Sequence, residues 1–188
     1  QIAISQELEG IPNFRKIGNL YVAYVEGWSL YSELLPKEIG YYSNPYSDFG
    51  RLAMELWRAC RLVVDVGIHS KKWNRQKAID YYNSNTPASN SESISMVDRH
   101  IVMPGQATGY KIGMRHILNL REKAKKELKN NFEIKRFHDL ILKNGPVPLF
   151  VLTEKIENWI LKNKNKKDDD LELNETDAII LTDPIKGL

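Results

Sequence analysis

The chain has 188 residues, of which 42% are hydrophobic and 27% are charged, and its formal net charge is +3. This composition is typical of a globular domain with a buried core. The small net charge, spread along the chain, argues against nucleic acid as the main partner. The lone cysteine, Cys60, excludes a disulfide within the chain, and no run of about 18 apolar residues predicts a membrane-spanning helix.

Nearly every segment predicts a helix, because apolar residues recur at three- and four-residue spacing between breaks made by glycine, proline and asparagine. The predicted helices cover residues 1–9, 21–36, 50–68, 74–82, 94–102, 105–129, 132–143 and 149–161. No alternating pattern of useful length predicts a strand, although residues 178–181 are apolar enough to dock as a short one. We therefore predict an all-α fold in which residues 1–161 form one helical domain and residues 162–188 form a polar, charged tail.

One acidic residue stands out in the helix predicted at residues 21–36, whose sequence begins YVAYVEGWSLY. Glu26 lies among apolar and small residues, and Gly27 beside it leaves room for a neighbouring backbone. Burying an unpaired carboxylate costs several kcal/mol, so Glu26 must be ion-paired, protonated, bound to a metal or turned to water. An exposed or ion-paired side chain is the more common explanation of such a pattern.

The longest uninterrupted helical pattern follows Pro104, which we place at its first position, where the missing N–H needs no partner. Gly105, Gly109 and Gly113 recur every four residues along one face of this helix. Each costs up to about 1 kcal/mol relative to alanine in an exposed helix. Three of them on one face predict close packing against another helix or access for a ligand.

The sequence contains no glycine-rich phosphate loop, no CxxC pair and no GxSxG motif. Its four histidines are too far apart in sequence for a local zinc motif. The polar clusters that stand out are Glu26 with Trp28, Asp65 with His69, and Arg99 with Gln106, Tyr110 and Lys111. A glutamine, a tyrosine hydroxyl and a lysine facing one groove would suit a peptide carbonyl or a carboxylate. The alternative is the ordinary start of an amphipathic helix.

Four segments resemble one bacterial family in order and spacing. They read EGWSLYSELLPKEIG, LWRACRLVVDVGIHSKKWNRQKAIDYY, DRHIVMPGQATGYKIG and FEIKRFHDLILKNGPVPLFVLTEKIENWI. The family is domain of unknown function 885, the resemblance spans residues 1–160, and EGWxLY with PGQAxxYKIG is a specific pair of signatures. That family resembles helical zinc metallopeptidases of the gluzincin kind, distantly similar to thimet oligopeptidase and angiotensin-converting enzyme. In such enzymes an HExxH helix supplies two zinc ligands and the general base.

The resemblance implies roles for individual residues in a peptidase site. Glu26 of EGW would be the third zinc ligand, and Tyr110 would donate a hydrogen bond to the oxyanion. The residues implied to hold substrate are Arg99, Gln106 and Lys111. His69 would be a further active-site donor, oriented by Asp65, and His138 is interpreted as structural. We expect Glu26, Tyr110 and His69 to line one groove within about 10–12 Å, on an apolar face left uncovered in this chain.

Two departures from the family's pattern limit what this chain does by itself. The family has Arg-Tyr where this sequence has Arg99-His100. More important, the HExxH segment is expected immediately before Gln1, and the sequence does not contain it. We therefore expect the C-terminal part of a metallopeptidase, without two zinc ligands and the general base, with no complete zinc site and no activity on its own. In the intact parent the partners would be zinc, a peptide substrate and the missing N-terminal part of the same protein.

Two other classes of function stay open at this stage. One is a non-catalytic helical module that binds a peptide or a partner protein in the same groove. The other is a purely structural helical domain whose polar clusters are internal ion pairs. The sequence upstream of Gln1 would separate the peptidase from both, since only the peptidase requires an HExxH segment there.

Overall fold

Every regular element is helical in the computed structural model, which describes residues 1–17 and 21–164. The helices are α1 (Ile2–Glu7), α2 (Asn13–Ile17), α3 (Val22–Ser32), α4 (Leu35–Glu38), α5 (Pro45–Lys71), α6 (Arg75–Asn85), α7 (Asn90–Val102), α8 (Gly109–Leu128), α9 (Ile134–Leu142) and α10 (Leu149–Asn163), with 3₁₀ turns at Gln106–Thr108 and Lys129–Asn131. The all-α prediction is confirmed. Within the described residues, no helix combines the length and the apolar character needed to cross a membrane.

Capping residues explain where three of the helices begin. The Asn44 side chain caps α5 and puts Pro45 at its first position, earlier than the predicted start at residue 50. Ser89 and Glu92 form a capping box that starts α7 earlier than the predicted residue 94. Asn74 caps α6, as the sequence predicts. Both earlier starts lie in polar segments that lack the apolar spacing from which the helices are predicted.

The helix predicted after Pro104 is divided into two elements. Gly105 has a φ of 83°, in the left-handed region, so the chain makes the 3₁₀ turn Gln106–Thr108 before α8 begins at Gly109. Pro104 therefore precedes a turn and does not occupy the first position of a helix, contrary to the prediction. The consequence is that Gln106 lies on a turn, and Tyr110 on the first turn of α8.

Two groups of buried side chains form the core. The larger lies between α3, α8, α9 and α10, and the smaller lies between α5, α6 and α7. The larger group includes Tyr24, Tyr31, Ile117 and Phe137, none of which is exposed to solvent. Helices α3 and α8 make the most extensive contact between any two described elements. This helix pair carries the two residues that matter most for the site.

Glycine makes the contact between α3 and α8 close. A Cβ atom added to Gly113 would lie 1.8 Å from the Ala23 carbonyl oxygen and 2.6 Å from the Gly27 Cα. One added to Gly109 would lie 2.8 Å from a Val22 methyl group. The predicted close packing is therefore present at these two glycines. Gly105 does not share it, because nothing lies within 4 Å of a Cβ there.

Helix α5 carries a stripe of exposed apolar side chains along its 27 residues. The stripe consists of Phe49, Leu52, Leu56, Val63 and Val66, which are 39–64% exposed. A helix turns about 100° per residue, so Val63 lies on the side of α5 opposite to Arg61. The sequence predicts an uncovered apolar face that carries a groove with Glu26. This stripe instead lies away from Arg61, which faces the polar cluster described below.

The C-terminal end of the described chain extends past the predicted domain boundary at residue 161, because α10 continues to Asn163. The rest of the predicted tail, from residue 165, and the short strand considered at residues 178–181 lie outside the described residues.

Candidate functional site

Glu26 is the centre of a polar cluster between α3 and α8. The Tyr110 hydroxyl donates to Glu26 Oε1 at 2.8 Å, and the Gln106 amide nitrogen donates to the same oxygen at 3.1 Å. The two donors also contact each other, at 3.4 Å between Gln106 Nε2 and the Tyr110 hydroxyl. We call these three residues the Glu26 cluster. The side chains of Glu26 and Tyr110 are therefore much closer to each other than the about 10–12 Å that we expect for residues lining one groove.

Hydrogen bonds from neutral donors accommodate the Glu26 carboxylate between the helices. Its side chain is half-buried, and Oε1 has two neutral donors. No lysine or arginine of the described residues forms an ion pair with it, and Oε2 has no hydrogen-bond partner among them. An ionised carboxylate accepts up to about four hydrogen bonds. Glu26 therefore retains capacity to bind another group.

Arg61 orients the cluster from α5. Its Nη2 donates to Gln106 Oε1 at 3.2 Å, and its guanidinium carbon lies 4.5 Å from the centroid of the Tyr110 ring. Arginine can only donate, so the amide oxygen of Gln106 must face Arg61 and the amide nitrogen must face Glu26. Arg61 belongs to none of the polar clusters that the sequence predicts. Its spacing of four residues from Asp65 was the signal available.

Asp65 positions the turn that carries Gln106. The carboxylate is buried, and both of its oxygens lie 3.1 Å from the backbone N–H of Gly105, which donates to them. We expected Asp65 to orient His69, but the only hydrogen bonds of Asp65 among the described residues are to Gly105. A buried carboxylate needs a donor, and the backbone of the left-handed Gly105 supplies it.

Three predicted site residues, His69, Arg99 and Lys111, lie outside the Glu26 cluster. His69 is exposed, and its Nε2 donates to the His100 carbonyl at 2.8 Å. Lys111 forms an ion pair with Glu55. Arg99 is exposed and has no ion pair in the part of the chain that the structure describes. Of Arg99, Gln106 and Lys111, only Gln106 contacts Glu26.

His100 and His138 are held in the core by tyrosines. His100 is 1% exposed, and its Nε2 lies 2.7 Å from the Tyr82 hydroxyl. Burial, with a smaller effect of nearby Arg61, lowers the pKa of His100 to about 4. His138 Nε2 lies 2.7 Å from the Tyr31 hydroxyl, which agrees with a structural role.

The described residues do not form a metal site by themselves. Nowhere in them do three or more histidine, cysteine, aspartate or glutamate side chains gather closely enough to hold an ion. The neighbours of Glu26 are an amide and a phenol, which are not typical zinc ligands. Glu26 is therefore the only zinc ligand that this cluster offers.

Comparisons with known proteins give a family and two similar structures. The sequence model of the family described as bacterial protein of unknown function (DUF885) matches residues 1–156. The crystal structure of a candidate lipoprotein from Colwellia psychrerythraea is 45% identical, with a TM-score of 0.83 over 86% of this chain. A candidate lipoprotein of unknown function from Shewanella oneidensis is 26% identical, with a TM-score of 0.73 over 85% of this chain.

The chain spans only 28% of the length of each of these two solved proteins. No curated protein matches it.

Proposed function

This chain belongs to the bacterial family of unknown function DUF885, and on that premise we propose that it is the C-terminal part of a zinc-dependent, metallopeptidase-like protein that hydrolyses peptide bonds. The observation that carries the proposal is the 2.8 Å hydrogen bond between Tyr110 and Glu26. The family resemblance implies a zinc ligand at Glu26 and an oxyanion donor at Tyr110. These two residues lie 84 positions apart in sequence and meet at one point in space.

Tyr110 would act as a hydrogen-bond donor to the substrate. A peptide carbonyl entering the cluster would compete with Glu26 Oε1 for the phenolic O–H. That bond would strengthen as the carbonyl oxygen gains negative charge, which is how an oxyanion donor lowers the barrier. Gln106 would supply a second donor from the same side, because its amide nitrogen already faces Glu26.

A zinc ion at this site would need further ligands from outside the described residues. Glu26 would supply one ligand, whereas a catalytic zinc site normally has three protein ligands. The other two ligands and the general base would come from a preceding part of the longer protein. We therefore propose that this chain by itself is inactive.

The remaining candidate residues have weaker support. Lys111 would have to leave Glu55 to reach a substrate, and His69 would have to leave the His100 carbonyl. Arg99 is exposed and would contact only a substrate that extends along α7. Gln106 is the substrate-binding residue that the geometry favours.

A second candidate function is a non-catalytic helical module that binds a peptide or a partner protein. The observation in its favour is that Gln106 and Tyr110 already donate two hydrogen bonds to Glu26 Oε1. In this case the same donors would hold a peptide backbone, and no hydrolysis would follow.

The deciding experiment incubates the full-length protein with a library of quenched fluorescent peptides. The peptidase proposal requires cleavage that stops when zinc is removed with 1,10-phenanthroline and returns when zinc is added. Peptide binding without cleavage by the zinc-loaded protein would overturn it in favour of the binding module.

A further inference from the structure

The three arginines that α5 presents to the core side differ in their partners. Arg51 forms ion pairs with Asp48 and Glu55, and Arg58 forms one with Glu33. Arg61 is 7% exposed, yet it forms no ion pair with any acidic residue that the structure describes. The buried Nε of this side chain has no hydrogen-bond partner among the residues that the structure describes.

A buried cation without a counter-ion is unfavourable. Removing one partner of a buried ion pair is strongly destabilising, because the remaining charge is left uncompensated. The contact with the Tyr110 ring stabilises the charge in part as a cation–π interaction, and the Gln106 carbonyl satisfies one N–H group. Arg61 therefore remains only partly compensated in this chain.

We propose that Arg61 binds a carboxylate of the peptide substrate beside Glu26. This inference rests on the proposed function and adds the substrate class, namely peptides with a negative charge close to the bond that is cleaved. The distance follows from Gln106, whose amide spans the two residues with contacts of 3.2 Å to Arg61 and 3.1 Å to Glu26. A carboxylate on Arg61 would thus lie about one side chain away from Glu26.

The shape of the guanidinium group specifies how the carboxylate binds. Either pair of parallel N–H groups that can hold a carboxylate includes Nη2. A bidentate carboxylate would therefore replace the Gln106 amide oxygen at Nη2 of Arg61. Gln106 would then be free to turn towards the substrate backbone, so binding of the charge and binding of the carbonyl are coupled through one amide.

The carboxylate has two sources in a peptide, the C-terminus and an acidic side chain. Three probes separate them: N-acetyl-trialanine as the free acid, N-acetyl-trialanine amide, and N-acetyl-Ala-Ala-Glu amide. Titrations of the full-length protein, with its metal removed, are followed by NMR at the Arg61 Nε–H and at the Gln106 side-chain amide. A hydrogen bond to a charged group contributes about 1.5–3 kcal/mol. At least one acidic probe should therefore bind roughly 10- to 100-fold more tightly than N-acetyl-trialanine amide.

The matched variants are Arg61→Met and Arg58→Met, which remove neighbouring arginines of the same helix. We expect Arg61→Met to abolish the preference for the acidic probe, and Arg58→Met to retain it, because Arg58 already has Glu33 as its partner. The Arg61 and Gln106 signals should shift together in the wild-type chain. If Arg61→Met does not fold, the wild-type preference and these two signals decide the matter, with Arg61→Lys expected to weaken the preference.

Equal affinity of the wild-type chain for the acidic and neutral probes would overturn the proposal. So would the absence of binding by all three probes, or a preference that survives in folded Arg61→Met. The titration involves neither metal nor cleavage, so its result is independent of the peptidase test. If the protein cleaves peptides but does not prefer the acidic probes, the role of Arg61 is refuted and the proposed peptidase function is not.

Discussion

The Tyr110 hydroxyl is hydrogen-bonded to Oε1 of Glu26 at 2.8 Å, across the glycine contact between α3 and α8. Glu26 directly precedes Gly27, and Tyr110 lies three positions before Gly113. Both glycines belong to that contact. The close approach of the two helix backbones therefore sets the distance between these two residues. This relationship is the basis of the first three predictions.

Tyr110→Phe in the full-length protein should lower kcat for peptide cleavage by roughly 10²–10³, the effect of removing one oxyanion donor. KM should stay close to its original value, because the lost bond strengthens only in the transition state. Steady-state kinetics on a fluorogenic peptide measure both constants. Tyr42→Phe is the control, since the Tyr42 hydroxyl bonds to the Glu33 carbonyl instead. Cleavage by Tyr110→Phe at the original rate would show that Tyr110 only packs.

Glu26→Gln should separate the metal from the fold. The amide still accepts a hydrogen bond from Tyr110 but is a much poorer zinc ligand than a carboxylate. We expect the full-length protein to retain about one zinc ion after dialysis, Glu26→Gln to lose it, and the 188-residue chain to retain none. Metal analysis measures all three, with Glu33→Gln as the control. Stoichiometric zinc in the short chain would mean that its ligands have been misassigned.

Gly113→Ala should destabilise the chain by about 1–3 kcal/mol or more, because overpacking here pushes on backbone atoms that cannot rotate away. The added methyl group would lie 1.8 Å from the Ala23 carbonyl oxygen. Gly50→Ala is the matched control within α5, since nothing lies within 4 Å of its added methyl group. That change should stabilise the chain by roughly 0.5–1 kcal/mol. Urea unfolding followed by circular dichroism gives both values, and equal effects would contradict the close contact.

Acid should destabilise the chain through His100. Its pKa is about 4 when folded and 6.5 when free, so between these pH values the unfolded chain binds a proton that the folded chain does not. Stability should therefore fall as the pH is lowered from 6.5 towards 4, by up to roughly 3 kcal/mol from this group. His100→Gln should flatten the slope, because it keeps a polar partner for Tyr82 without titrating. A slope unchanged by this substitution would assign the effect to other groups.

The sequence predicted the helices well because their apolar spacing and breaks are local. The motifs select Glu26 and Tyr110, which the structure joins by a hydrogen bond, and Asn74 is a cap as predicted. The sequence placed Asp65 beside His69 because they lie one turn apart on a helix. The structure instead pairs Asp65 with the backbone of Gly105, which lies 40 residues further on. A contact over that distance depends on how α5 meets the turn, which periodicity does not describe.

Arg61 shows the same limit in a different way. Its neighbours on α5 include two other arginines, and nothing in the local pattern distinguishes the paired arginines from the unpaired one. Arg51 pairs with acidic residues of its own helix, whereas Arg58 pairs with Glu33, which lies just after α3. Burial and pairing of charges are properties of the assembled fold.

The close contact at Gly27 and Gly113 also determines which part of the site is able to move. The backbones that carry Glu26 and Tyr110 cannot move closer together, because they are already in contact at these two glycines. Gln106 is different, because it lies on a single 3₁₀ turn entered through the left-handed Gly105 and held by Asp65. We therefore expect this turn to move when ligands of different size bind. Hydrogen exchange at the Gly105 amide would report how often the turn opens.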